Sequence, residues 1–199
     1  MNVLNRALPI LKPMLILAAV IAPAAAAAPG EVIDVAESTW LMPDAKANLK
    51  GKAPGLGKTK GKDIAPLEFS FADDGTWDGL LNGTLMLSGS WEATTPNGKK
   101  LSLTFDDASR ALIEEEQEKA IEVAILTQGQ LADVELTLSQ TKLTLRVKTA
   151  PKKNSATMRI KARLDFTGTI STQGDVYGVN GSIRVKGKSL TNALDPLVG

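Results

Sequence analysis

From residue 68 onward, hydrophobic and polar positions alternate in short runs separated by turn-forming residues. Glu68-Phe69-Ser70-Phe71-Ala72 alternates, and Asp73-Asp74-Gly75 follows as a hairpin turn, since Asp and Gly tolerate positive φ. Thr76-Trp77 opens the next strand, and Thr84 to Trp91 continues the pattern. Pro96-Asn97-Gly98 marks a second turn before the clean alternation of Lys100 to Phe105. Such spacing predicts an antiparallel meander.

The period then changes. Asp106-Asp107-Ala108-Ser109 can cap a helix, with carboxylates favoured at its positive end. Arg110 to Leu126 is rich in Ala, Leu, Glu, Gln and Lys, and Gly129 is a stop, so a helix is predicted near 107–127. Ile113, Gln117, Ala120, Ile121 and Ala124 share one face, and Glu114, Glu115, Glu118 and Glu122 spread over the others. Ile121–Leu126 alone also suits a strand, but the pattern before it favours helix. Glu114-Glu115-Glu116 reads most simply as a solvated helix face.

Alternation resumes at Val134–Leu138 and Leu143–Val147, with a polar break near Gln140. Residues 151–155 read as a loop. Over 157–166, Met158, Ile160, Ala162, Leu164 and Phe166 form a dry face, with Arg159, Lys161, Arg163 and Asp165 on the wet one. Two last strands, Gly168–Ser171 and Ser182–Lys186, flank a Gly-rich stretch over 174–181, and the tail from Leu190 stays unassigned. About eight to ten strands predict a mainly β chain: an antiparallel barrel or strongly curved sheet with one inserted helix, since closure removes unpaired edges. A two-layer sandwich fits the same pattern.

Trp40, Phe69-x-Phe71, Asp74-Gly75-Thr76-Trp77, Gly89-Ser90-Trp91 and Leu101-x-Leu103 follow one another in order. Over 38–105 this order resembles the opening meander of small lipocalin-like bacterial domains. It departs from true lipocalins in having Ser38-Thr39-Trp40 where an early G-x-W would stand, and in its mid-chain helix. The resemblance implies a small β-barrel able to hold an apolar ligand.

Composition narrows the chemistry. The 199 residues include no Cys and no His. Disulfides, zinc fingers, iron–sulfur clusters, a Cys nucleophile and a Ser-His-Asp triad are therefore excluded. Residues 1–27 read as a secretory signal: Arg6 and Lys12 precede the apolar run 14–22, and small residues follow over 24–28. That run is shorter than the ~20 residues a spanning helix needs. The segment carries two of the 23 basic residues and none of the 22 acidic ones. Its removal leaves a 28–199 domain of 21 bases and 22 acids, net −1, exported to a periplasmic or extracellular space. Balanced charge argues against nucleic acid as a partner.

Gly51 to Thr59 imitates a phosphate-binding loop, but Lys52 stands where the first Gly belongs and neither the strand nor the helix is in place. The segment is unusual in another way, since Lys46, Lys50, Lys52, Lys58, Lys60 and Lys62 run without an intervening acid, echoed by Lys186 and Lys188. It reads as a flexible basic loop for an anionic headgroup or glycan, with Lys58, Lys60 and Lys62 as candidate contacts. The plainer reading, and the one favoured by the balanced charge, is a solvated Gly/Lys loop or a basic edge strand whose lysines discourage edge pairing. Trp40, Trp77, Trp91, Phe69 and Phe71 are candidate ligand-cavity residues, or else core anchors. Asp73/Asp74 and Asp106/Asp107 have turn and capping explanations, and adjacent strand residues point to opposite faces. No catalytic residue, metal ligand or cofactor is expected.

The function expected is therefore non-enzymatic binding of a small hydrophobic or amphipathic, lipid-like molecule. The alternative is a structural or interaction protein of the cell envelope with a packed interior. An outer-membrane barrel suits the chain poorly, because 3 Trp, 4 Phe and 1 Tyr are few for two interfacial girdles.

Overall fold

The computed structural model describes residues 33–53, 57–150, 153 and 155–191. The signal reading of 1–27, the residues 54–56 and most of the 151–154 loop lie outside them, as does the tail from 192. The described residues form one antiparallel sheet of ten strands, curled into a half-barrel, with one helix. In chain order these are β1 Ser38–Met42, β2 Lys46–Ala53, β3 Gly57–Ile64, β4 Leu67–Phe71, β5 Thr76–Leu81, β6 Leu85–Ala93 and β7 Lys100–Phe105. The helix α1, Asp107–Leu126, precedes β8 Ala132–Ala150, β9 Ser155–Thr172 and β10 Asp175–Thr191. The spatial order is β1-β4-β5-β6-β7-β8-β9-β10-β2-β3.

The two ends of that order are continuous in the chain with strands elsewhere in it. β1 runs into β2 through Pro43-Asp44-Ala45, and β3 into β4 through Ala65-Pro66. The Ala65 N–H donates to the Ala45 carbonyl at 2.8 Å, holding these two bends side by side. The Pro at each bend has no N–H for a ladder, which suits a kink between strand segments. The half-barrel architecture agrees with the curved-sheet expectation and is compatible with a lipocalin-like fold; it is not a two-layer sandwich.

Three stretches differ from the sequence reading. Residues 46–53 and 57–64 are not a flexible loop: β2 pairs with β10 and β3 pairs with β2, so β3 is the basic edge strand. The break near Gln140 is a bulge inside one long strand. Val134, Leu136 and Leu138 face the core on even positions, whereas Leu143, Leu145 and Val147 face it on odd ones. The register shift between Leu138 and Gln140 supplies the extra residue that this change of phase requires. The Gly-rich stretch is mostly strand as well, with β9 and β10 pairing continuously from Asp175↔Thr172 to Thr191↔Ala156.

The core is the concave face, and Trp77 is its largest fully buried side chain. Its indole N–H donates to the Thr104 carbonyl at 3.1 Å, and its ring lies 5.6 Å from both Phe69 and Phe105. The ring crosses two glycines. A Cβ on Gly79 would sit 2.8 Å from Trp77 Cζ3, and one on Gly89 would sit 1.8 Å from the Thr104 carbonyl oxygen. The Gly of the Gly89-Ser90-Trp91 motif therefore makes room first for the Thr104 backbone and then for Trp77, whose Nε1 would lie 2.9 Å from such a Cβ.

Helix α1 stands where β7 ends. β7 pairs with β8 only from Leu103↔Leu143 to Lys100↔Arg146, which leaves the β8 edge over 134–138 without a strand neighbour on that side. The helix fills this gap with carboxylates. Glu114, Glu118 and Glu122 accept the backbone N–H groups of Leu138, Leu136 and Val134 at 2.6, 2.7 and 3.3 Å. Arg110 adds a bond from Nη2 to the Leu138 carbonyl at 2.9 Å. Four helical residues rise ~6 Å and two strand residues ~6.8 Å, so an i, i+4, i+8 series tracks alternate strand amides. The growing mismatch fits the longest bond being the third. These glutamates are half-buried, not on the solvated face expected of Glu114.

Replacing Glu118 with Ala leaves the Leu136 N–H without its acceptor, at a cost of about 1–3 kcal/mol. For a domain of this size that lowers Tm by roughly 2–4 °C per kcal/mol. Glu118→Gln, which keeps an acceptor oxygen, should melt close to wild type in the same calorimetric comparison.

Candidate functional site

The half-barrel holds a half-open apolar cavity of about 220 Å³. β4 and β5 contribute Phe69 and Trp77, β9 contributes Ile160, Ala162 and Leu164, and β10 contributes Ile183 and Val185. All are inward positions of alternating strands, so strand periodicity builds the wall. Helix α1 forms one side of the cavity through Ile113, Glu116 and Gln117. Polar lining comes from Asp63, Asn82, Glu116 and Gln117, with Glu68, at an outward position of β4, bordering the same space, and with no Lys or Arg among the described lining residues.

The helix N-terminus is anchored beside this space. Asp106 caps it, with Oδ1 accepting from the Ser109 N–H at 2.7 Å and Oδ2 from the Ser88 hydroxyl at 2.6 Å. The Ser88 N–H donates to the buried Ser109 Oγ at 2.7 Å, and the Asp106 N–H to the Ser88 carbonyl at 3.1 Å. β6 thus takes up the start of the helix where its own pairing with β7 stops at Gly89↔Phe105. The Ser88 hydroxyl bond, then the Ser109 bonds, hold the Asp106 carboxyl below the usual Asp range.

Of the residues singled out from sequence, Phe69 and Trp77 line the cavity. Trp40 and Phe71 are buried outside it, Trp40 donating from Nε1 to Ser38 Oγ at 2.9 Å. Trp91 is half-buried, edge-on to Phe71 at 6.1 Å, and its indole N–H donates to the Ala72 carbonyl at 3.3 Å. Lys58, Lys60 and Lys62 are exposed on β3, whose alternate residue Asp63 reaches the cavity instead. Ala162 was legible only as one of five inward residues over 157–166; being the smallest of them, it leaves the space its neighbours would fill.

The outer face carries a second arrangement. Register places Lys100, Arg146, Arg159 and Lys188 directly opposite one another across β7, β8, β9 and β10. One step along, Lys161, Lys186 and Lys46 form a second row, and Lys142, Arg163 and Arg184 a third. Lys50 faces Lys60 and Lys52 faces Lys58 across β2 and β3. Only Arg163 among these makes a salt bridge within the described residues, to Asp165 at 2.9 Å. The outward positions of β4, β5 and β6 hold instead Glu68, Asp78 and Glu92, and no base.

Among the described residues there is no cluster of three or more metal-ligating side chains, and no helix long and apolar enough to cross a membrane. No protein-family model and no curated protein matches the chain. Fold and cavity together define a ten-stranded antiparallel half-barrel with an apolar interior, flanked by one helix.

The lowered Asp106 pKa has a stability consequence. The native state favours the carboxylate, so this contribution is present above the unfolded value of about 3.9 and is lost as pH falls through the lower folded value. In thermal melts taken from neutral pH into that acid window, wild type should lose more stability than Asp106→Asn. An equal loss in both contradicts the assignment.

Proposed function

We propose that the protein is an exported, non-enzymatic binder of a small hydrophobic or amphipathic molecule, held in the half-barrel. The observation that carries this reading is the apolar cavity of about 220 Å³, walled by aliphatic side chains with Phe69 and Trp77. Burial of apolar ligand surface there contributes roughly 25 cal/mol per Å². Typical small-molecule pockets span roughly 300–1,000 Å³, so this one suits a chain-like portion of a ligand. Its polar lining is acidic or amide, which favours a head that donates hydrogen bonds, a hydroxyl or an amine, over an anionic one. A lipid-like anion held at Lys58, Lys60 and Lys62 fits less well, because these side chains lie on the opposite face of the sheet. Export rests on the charge and apolar pattern of residues 1–27.

The second reading is an envelope structural or interaction protein, favoured by the small size of the cavity relative to the buried core. A lipophilic fluorescent dye separates the two. Binding to wild type with enhanced emission, weakened at least tenfold in Ala162→Phe with the fold preserved, supports the binder. Absence of dye enhancement, together with no lipid-sized adduct in native mass spectrometry of protein purified from its host, sinks it in favour of the packed interior.

A further inference from the structure

We propose that the basic outer face over β7, β8, β9, β10 and β2 is a docking surface for an anionic lipid bilayer. Like charges directly opposite on neighbouring strands destabilise a sheet. Here they recur in successive rows, through Arg146↔Arg159 and Lys188↔Arg159 in one and Lys186↔Lys161 and Lys186↔Lys46 in the next. The chain does not compensate them from within: across this face only Arg163 has a carboxylate partner among the described residues. The counter-charge is left to an external partner.

Segregation matters more than net charge. The whole chain is only +1, too little for general attraction to anions. The bases carried on its strands, however, all lie on β2, β3 and β7 to β10, against the three outward carboxylates Asp133, Glu135 and Asp165 there, whereas Glu68, Asp78 and Glu92 occupy outward positions of β4, β5 and β6 with no base among them. A molecule polarised in this way is oriented by a charged plane as well as attracted to it.

Three features select a bilayer over a polyanionic chain. The three rows form a two-dimensional field, about 14 Å along the strands and about 19 Å across them from β7 to β2, rather than a single track. The strands present no outward aromatic ring among the described residues on which a nucleobase could stack. Exposed apolar residues sit at the margin of the field: Ile64, 59 % exposed, faces Lys46, and Leu190, 61 % exposed, lies two residues beyond Lys188. Basic side chains bordered by aliphatic ones suit a headgroup layer over acyl chains.

The test is co-sedimentation of the full chain with phosphatidylcholine vesicles, with and without roughly one-third phosphatidylglycerol, at about 0.05 M and about 0.5 M salt. The apolar run 14–22 would partition into both vesicle types and Arg6 and Lys12 would add to anionic binding, so the face is read from the difference between wild type and the triple variant below. The expected result is stronger binding to anionic vesicles at low salt, with the excess abolished at high salt. The triple variant Lys46→Gln, Lys161→Gln and Lys186→Gln should lose about one hundredfold of it. Because that variant removes like-charge pairs, its thermal midpoint at low salt should not fall. Lys119→Gln, on the exposed side of α1, should bind as wild type. An anionic excess that is absent, or unchanged in the triple variant, overturns the proposal. So does tighter binding to duplex DNA or polyphosphate than to vesicles at equal anionic charge. Dye uptake by the interior is read separately, so the docking face and the cavity stand or fall independently.

Discussion

The half-barrel depends on how the edge of β8 is satisfied. A curved sheet of this length needs its strands to splay, and β7 is too short to follow β8 to its end. Three inward-facing residues, Val134, Leu136 and Leu138, are thereby committed to the core while their N–H groups point at no strand. An uncovered edge would cost hydrogen bonds and invite pairing with another chain. Helix α1 covers it with side-chain acceptors at helical spacing, so a helix performs the hydrogen bonding of a strand. Once α1 is held there, Ile113 and Gln117 are fixed against the cavity and Ser109 against β6. The bonds that cover this edge also hold the helix that borders the cavity.

The sheet then has two chemically distinct faces. The concave one is aliphatic, with small residues where the space remains and carboxylates rather than ammonium groups in its polar lining. The convex one is basic over one half and acidic or neutral over the other. Strand alternation places these two chemistries within one residue of each other, as Ile160 and Lys161 show, and keeps them on opposite sides of the backbone. A binder that collects or delivers an apolar molecule at a membrane would use both faces: one to hold the molecule, the other to approach the surface.

Much of this was legible in the chain. The alternation over 157–166 specified both the inward face of β9 and its basic exterior, and Asp106 to Ser109 announced the helix start where it occurs. β2 and β3 were harder, because their inward positions are Ala47, Leu49 and Gly51 on one strand and Gly61 and Asp63 on the other. Strands with a single large inward residue between them leave almost no hydrophobic period to detect. The glutamates of α1 were visible at their i, i+4, i+8 spacing, but their partners are backbone amides, which every residue carries and no sequence pattern marks. The division of charge between the two halves of the sheet also depends on strand register, which balanced composition conceals.

Amide hydrogen exchange at Val134, Leu136 and Leu138 tests the central claim most directly. If α1 acts as the missing strand, these three amides should be protected to a degree comparable with Leu143 and Leu145, which pair with β7. Joint replacement of Glu114, Glu118 and Glu122 by Ala should then open the first three selectively and leave Leu143 and Leu145 slow. Fast exchange at Val134, Leu136 and Leu138 in the wild-type protein would contradict the account, because the edge would then be open and the helix no part of the sheet.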